Sequence, residues 1–177
     1  MTKPTNELIK ELFSKANTVL IATHIRPDGD AIGSMLGLGI ALKEAGKTVT
    51  MINKDGIPAQ FIHLPGAREV KRKISETEIF DLTISVDTSD IERSGNVFGT
   101  REIILNIDHH ITNTNFGKFN YVDPEAVATS SLLAGKIEAW GLKYNPEIAR
   151  LFMIGLITDS LGFRTSNMNS ESLRIAA

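Results

Sequence analysis

Three of the four histidines in this 177-residue sequence lie among aspartates. His24 opens the run His24-Ile25-Arg26-Pro27-Asp28-Gly29-Asp30, Asp87 stands in Ser85-Val86-Asp87-Thr88-Ser89-Asp90, Asp108 precedes His109 and His110, and Asp159 lies in Ile157-Thr158-Asp159-Ser160. Each alone says little, because an aspartate after an apolar run is usually a turn former or a helix cap. Repeated in separate segments, the same chemistry is harder to dismiss. Carboxylates crowded into one crevice repel and stay partly protonated unless cations hold them. Asp with His, in a chain without Cys, suits Mn²⁺, Mg²⁺ or Zn²⁺, and Mn²⁺ accepts imidazole more readily than Mg²⁺ does. So many ligands exceed the needs of one ion with open positions, and two ions are the natural count. Two ions about 3.5–4 Å apart activate water, polarise a phosphoryl group and stabilise a leaving oxygen. That chemistry needs no covalent nucleophile, in keeping with the lack of Cys and of a Gly-x-Ser-x-Gly elbow. The implied reaction is hydrolysis of a phosphoester or phosphoanhydride.

These residues act together only if the chain carries them to one place. The apolar run Thr18–Thr23 reads as a strand buried on both faces, and Lys47–Ile52, Leu82–Val86 and Glu102–Ile107 read as three more. Between and after them, helical spacing runs from Thr5 through Phe13, from Ala31 to Ala45, from Ala128 to Trp140 and from Pro146 to Thr158, with Pro146 suited to a first turn. Gly33, Gly37 and Gly39 weaken the second of these helices at roughly 1 kcal/mol each, so close packing against a neighbour is their expected justification. Residues 55–81 are mixed, with a short helix allowed after Pro65-Gly66. Strands alternating with helices predict an α/β fold, an open, mostly parallel sheet flanked by helices. In such a sheet the strands' carboxyl ends share one edge, where ligands bind. His24, Asp28, Asp30, Asp87, Asp108, His109 and His110 all follow strand ends, and Asp159 ends an apolar helix. The tail from Asn169 opens like a capped helix and carries no stop signal, which predicts a domain ending within a helix and belonging to a longer protein.

Composition excludes several classes. With 19 Lys and Arg against 21 Asp and Glu, the net charge is −2, which gives no electrostatic case for binding long duplex nucleic acid. The absence of Cys rules out disulfides, zinc–thiolate sites and thiol nucleophiles. The N-terminus lacks a signal-peptide core, and no apolar run approaches the roughly 20 residues that cross a bilayer. The expectation is a cytoplasmic protein without a membrane partner.

Four segments resemble the motifs of the DHH phosphoesterases, in order and over about residues 18–165. His24-Ile25-Arg26-Pro27-Asp28-Gly29-Asp30-Ala31-Ile32-Gly33-Ser34 looks like the first, Val86-Asp87 the second, Asp108-His109-His110 the name-giving third and Thr158-Asp159-Ser160 the fourth. The Pro-Asp-Gly-Asp-Ala-Ile-Gly-Ser run is similar to the branch of bacterial oligoribonucleases and 3′-phosphoadenosine-5′-phosphate phosphatases. Family II pyrophosphatases usually carry Asn-Pro-Asp-Thr-Asp there, from which this sequence departs at Gly29. Residues Gly162-Phe163-Arg164-Thr165-Ser166-Asn167 resemble the Phe-Arg…Asn run of the oligoribonuclease branch. The resemblance implies one Mn²⁺ on His24, Asp28 and Asp87 and a second on Asp30, Asp87, His109 and Asp159, with Asp87 bridging and Mg²⁺ as the substitute metal. It implies that His110 meets the scissile phosphate as hydrogen-bond donor or general acid, that Asp108 orients an imidazole from outside the ligand set, and that Arg164 contacts phosphate. The implied substrate is a short RNA or a small nucleotide. Cyclic di-AMP, or a non-catalytic regulatory domain that keeps the metal or nucleotide site, are the alternatives. The oligomeric state stays open, a homodimer among the options. Members of this branch also carry a C-terminal DHHA1 domain with a Gly-Gly-Gly-His motif. No such motif occurs here, so the expectation is a DHH catalytic domain over residues 1–177 without DHHA1, and a substrate cleft half present.

Other residues point to bland roles. His63 reads as structural, Arg68, Lys71, Arg72 and Lys73 as a solvated basic face, and Asp90 and Asp123 as turn residues. Trp140 and the two tyrosines are too scattered for a base-stacking platform. Gly37-Leu38-Gly39 falls within a helix, and no Gly-x-Gly-x-x-Gly follows the first strand, so a Rossmann dinucleotide site is excluded.

Overall fold

The computed structural model describes residues 3–177. Its frame is a five-stranded sheet of β1 (Thr18–Ala22), β2 (Thr48–Ile52), β3 (Leu82–Val86), β4 (Leu105–Asp108) and β5 (Phe119–Val122), in the order β2-β1-β3-β4-β5. Every pairing is parallel, so the sheet is more uniform than the mostly parallel one expected. β1 and β3 are buried almost throughout, which is why they read as unbroken apolar runs. Two strand readings need correcting. β4 begins at Leu105 rather than Glu102: residues 101–104 lie outside regular structure, with Ile103 in the core of the far face and Ile104 packed against the larger core. β5 has no counterpart among the expected strands: four residues with Asn120 inside them, at the sheet edge, give too short an apolar pattern.

Among the described residues there are five α-helices: α1 (Asn6–Lys15), α2 (Gly29–Glu44), α3 (Thr129–Lys136), α4 (Pro146–Asp159) and α5 (Ser170–Ala176). Their starts follow capping chemistry. Thr5 accepts from the Leu8 N–H, Asn145 from Glu147 and Ile148 with Pro146 in the first turn, and Asn169 from Ser172. α3 stops at Lys136, short of the Trp140 expected. Residues 137–141 continue as turns that still bury Ile137 and Trp140. Trp140 meets Phe13 and Tyr121 edge-on, at 5.9 and 5.1 Å between centroids, and gives its indole N–H to Asn6. The short helix expected after Pro65-Gly66 is a single 3₁₀ turn, Ala67–Glu69.

The larger core lies on the face of Val19 and Ile21, filled from α1, α2, α3 and α4. The smaller lies on the face of Leu20 and Ala22. There Val97, Phe98 and Ile103 pack with Ile52, and no helix contributes. α2 is buried on nearly every side, and its glycines explain how. Gly29, Gly33 and Gly37 recur every four residues, on one stripe. A Cβ on each would lie 2.4 Å from Thr158, from the Leu151 carbonyl and from the Phe152 ring. α2 therefore lies against α4 at backbone distance, and α4 carries Asp159 at its end.

Candidate metal centre

β1 and β3 are neighbours, yet the chain leaves β1 toward β2 and returns on its other side to form β3. That reversal opens a crevice at the carboxyl edge, where open α/β sheets bind ligands. His24 and Asp28 follow β1, Asp87 follows β3, and Asp108, which ends β4, precedes His109 and His110. Asp30 sits in the first turn of α2, and Asp159 is the last residue of α4.

Local conformation aims each group. Asp28 caps α2: its Oδ1 accepts the Asp30 and Ala31 N–H groups at 3.0 Å, and its Oδ2 lies 3.9 Å from His24 Nε2. Asp87 adopts a left-handed backbone (φ 51°), a conformation uncommon for a non-glycine residue and concentrated at functional sites. From there its two oxygens face different neighbours. Oδ2 lies 3.5 Å from His24 Nε2, and Oδ1 lies 3.8 Å from His109 Nε2. His109 Nε2 is also 3.6 Å from Asp159 Oδ2 and 4.0 Å from Asp30 Oδ2. Nδ1 of His24 and of His109 contact the carbonyls of Ile25 and Ala126, at 2.8 and 3.3 Å, which leaves both Nε2 atoms to the crevice. The Asn53 amide holds the His24 carbonyl at 2.8 Å.

Three groups of potential ligands result: His24, Asp28 and Asp87; Asp30, His109 and Asp159; and Asp87, His109 and His110, each with donor atoms within 4.8 Å of one another. Donors bonded at roughly 2.1 Å to one six-coordinate ion lie about 3 Å apart when adjacent and about 4 Å apart when opposite. The 3.5–4.0 Å separations above fit that spacing. Carboxylate and imidazole donors without sulfur suit Mn²⁺ or a similar divalent ion.

The electrostatics agree. Burial, then the Asp87 charge, pushes the Asp30 carboxyl well above the usual range. Burial likewise raises Asp159, against the pull of His109. Burial would raise Asp87 too, but His24, His109 and His110 surround it and hold it below the ordinary value. For His24, burial opposes the charged form and Asp87 outweighs it, so its pKa is raised. His110 donates Nδ1–H to Asp108 Oδ1 at 2.7 Å, and this bond lifts it to about 9. Asp108 is fully buried, and the Asn113 amide holds its other oxygen.

Of the residues singled out from the sequence, His24, Asp28, Asp30, Asp87, His109, Asp159 and His110 come together, with Asp108 behind His110. Arg164 is exposed and turns its Nε back to the Leu161 carbonyl at 2.6 Å. Asp90 caps a 3₁₀ turn, and Asp123 pairs with Lys3. His63 lies exposed on a turn. Sequence reasoning missed Thr129, Ser130, Asn113 and Asn53. The N–H groups of Thr129 and Ser130 cradle Asp30 at 2.7 and 2.9 Å, and the Thr129 hydroxyl meets Asp87 at 2.9 Å. Thr129-Ser130-Ser131 does signal a helix start. Nothing local tells that the cap comes from Asp30, 99 residues earlier.

Fold and site together define an open-sheet α/β protein with a carboxylate–imidazole centre at its topological switch point. Residues 18–156 match the DHH family, N-terminal domain, and the chain belongs to that family. It is 36% identical over 160 residues to the bifunctional oligoribonuclease and PAP phosphatase NrnA of Thermus thermophilus, covering 90% of this chain and 48% of that one. It is 26% identical over 166 residues to a probable manganese-dependent inorganic pyrophosphatase of Bacillus cereus, covering 89% and 53%. The crystal structure of an exopolyphosphatase-related protein from Bacteroides fragilis superposes with a TM-score of 0.85 at 28% identity, covering 96% of this chain and 54% of that one. The chain spans about half the length of the curated relatives it matches. Among the described residues no helix is long and apolar enough to cross a membrane.

Proposed function

We propose that this chain holds two divalent cations, Mn²⁺ or Mg²⁺, and hydrolyses phosphoester bonds in short oligoribonucleotides or small nucleotides such as 3′-phosphoadenosine-5′-phosphate. The observation that carries this reading is the split of Asp87, whose Oδ2 faces His24 and whose Oδ1 faces His109. One carboxylate thus serves two ligand groups, His24 with Asp28 on one side and Asp30, His109 and Asp159 on the other. The similarity to an oligoribonuclease and PAP phosphatase over most of this chain supports the substrate class. When bound, the cations supply electrophilic activation of the phosphoryl group and of the attacking water.

The chain's own residues do the rest. His110, held protonated near neutrality by Asp108, presents Nε2, the nitrogen not engaged with Asp108, to the scissile phosphate as hydrogen-bond donor or general acid. Asp108 fixes the ring, and Asn113 fixes Asp108. Arg164, exposed and bonded through Nε to the Leu161 carbonyl, is a second candidate contact for phosphate.

A hydrolysis panel tests the reading: di- to pentaribonucleotides, 3′-phosphoadenosine-5′-phosphate, and linear and cyclic di-AMP, each with Mn²⁺ and with EDTA. Mn²⁺-dependent release from the first two classes is expected. Cleavage of cyclic di-AMP alone would move the substrate class, and Mn²⁺ binding with no cleavage of any member would leave a metal-binding regulatory domain.

A further inference from the structure

We infer that Thr129 is a positioning residue for the metal centre: its hydroxyl fixes Asp87 in the bridging orientation, and the start of α3 sets Asp87 and Asp30 against each other. The inference rests on the two-cation reading and deepens it.

Thr129 is fully buried and reaches two proposed ligands at once. Its Oγ1 donates to Asp87 Oδ1 at 2.9 Å, while its backbone N–H donates to Asp30 Oδ2 at 2.7 Å. The Ser130 N–H adds a 2.9 Å bond to Asp30 Oδ1. The two carboxylates come from different elements, the end of β3 and the first turn of α2. α3 is the common support between them.

Asp87 needs such a support. It departs from the strand with a left-handed backbone, and it is buried, so neither water nor regular strand geometry sets its side-chain torsion. An ionised carboxylate only accepts, so the hydroxyl hydrogen points at Oδ1. Each carboxylate oxygen has about two lone-pair directions. The Thr129 bond takes one on Oδ1 and leaves the other toward His109, whose Nε2 lies 3.8 Å away. Oδ2 stays free toward His24. A rotation of Asp87 about its terminal torsion would break this bond and turn both oxygens away from their groups. The hydroxyl thus selects the rotamer in which one carboxylate faces both groups. It also withdraws charge from the oxygen that faces His109, so a cation held by the Asp30, His109 and Asp159 group would keep more of its electrophilic character.

The test uses the full chain, with Thr129→Val, which keeps the shape and removes the donor, and Thr129→Ser, which keeps the donor and removes the methyl. Mn²⁺ is titrated by calorimetry, and the loaded proteins are compared by electron paramagnetic resonance. The parent is expected to take two equivalents and give a spin-coupled signal. Thr129→Val should weaken at least one binding step about tenfold or more, as losing an outer-shell partner does, and shift the spectrum toward isolated Mn²⁺. Thr129→Ser should stay within about threefold of the parent in both steps. Unchanged affinities in Thr129→Val overturn the inference, as does an equal loss in Thr129→Ser, which would assign the effect to the methyl. Thermal melting in EDTA verifies the metal-free fold, and Thr129→Ala replaces the valine variant if that one is unfolded. A parent that binds no Mn²⁺ overturns the two-cation reading and this inference together, whereas a binding parent with an unaffected Thr129→Val overturns this inference alone.

Discussion

Asp159 closes α4, where the helix dipole presents its negative end and disfavours a carboxylate. Asp30 is buried, its carboxyl pushed well above the usual range by burial and by Asp87. Both placements oppose folding, and cations in the crevice would offset both. His110 differs from these groups. It belongs to a third cluster with Asp87 and His109, but its Nδ1 is committed to Asp108. On the proposed reading, that bond would make His110 a proton donor rather than a ligand. His110→Gln should leave Mn²⁺ affinity within about threefold of the parent and lower kcat on the cleaved substrate by about 10²–10⁴-fold, the usual worth of general acid–base help. Parallel calorimetry and single-turnover assays measure both. A large loss of Mn²⁺ affinity with kcat preserved at saturating metal would make His110 a ligand instead.

At the scale of elements, α2 and α4 hold the two ends of the site together through the glycine stripe. In an exposed helix Gly→Ala would stabilise by about 1 kcal/mol. At Gly33 the added Cβ would lie 2.4 Å from the Leu151 carbonyl, a backbone atom that cannot swing aside. Gly33→Ala should therefore destabilise the fold by about 1–3 kcal/mol, the range of overpacking, read as a lowered urea midpoint at unchanged slope. An unchanged or raised midpoint would show that the helices are free to separate. Asp81 ties the starts of β1 and β3. Its carboxylate accepts the N–H groups of Thr18 and Asn17 and is thereby held below the usual carboxylate range. A lowered folded-state value means stability that is present above the unfolded pKa of about 3.9 and lost as pH falls through the folded value. Asp81→Asn should melt below the parent at pH 7, and the difference should close as the pH falls below the unfolded value and through the lowered folded one. A difference that persists in acid would point to packing rather than charge. The sequence revealed most of these elements because β1 and β3 are buried on both faces and α4 has a proline start. It concealed β5, whose four residues include a polar one, and the true start of β4, where Ile103 packs in the smaller core while the neighbouring Ile104 packs against the larger one.

At the scale of the whole molecule, one sheet edge gathers groups from residues 24 to 159 at the β1/β3 switch point. The ligand candidates were legible because ionisable side chains at strand ends share that edge in any parallel sheet. Their supports were not, since Thr129 and Asn113 owe their roles to contacts between segments that sequence spacing does not encode. The net charge of −2 is spread over a surface on which most ion pairs are exposed and weak. The concentrated electrostatics lie in the crevice. That this crevice holds two cations bridged by Asp87 is tested most directly by calorimetric titration of the metal-free chain with Mn²⁺, beside Asp87→Ala. Two equivalents per parent chain are expected, and Asp87→Ala should lose more affinity than the about 10–100-fold typical of an outer-shell partner. A parent that binds one equivalent or none, or an Asp87→Ala variant that still binds two as tightly as the parent, would contradict it.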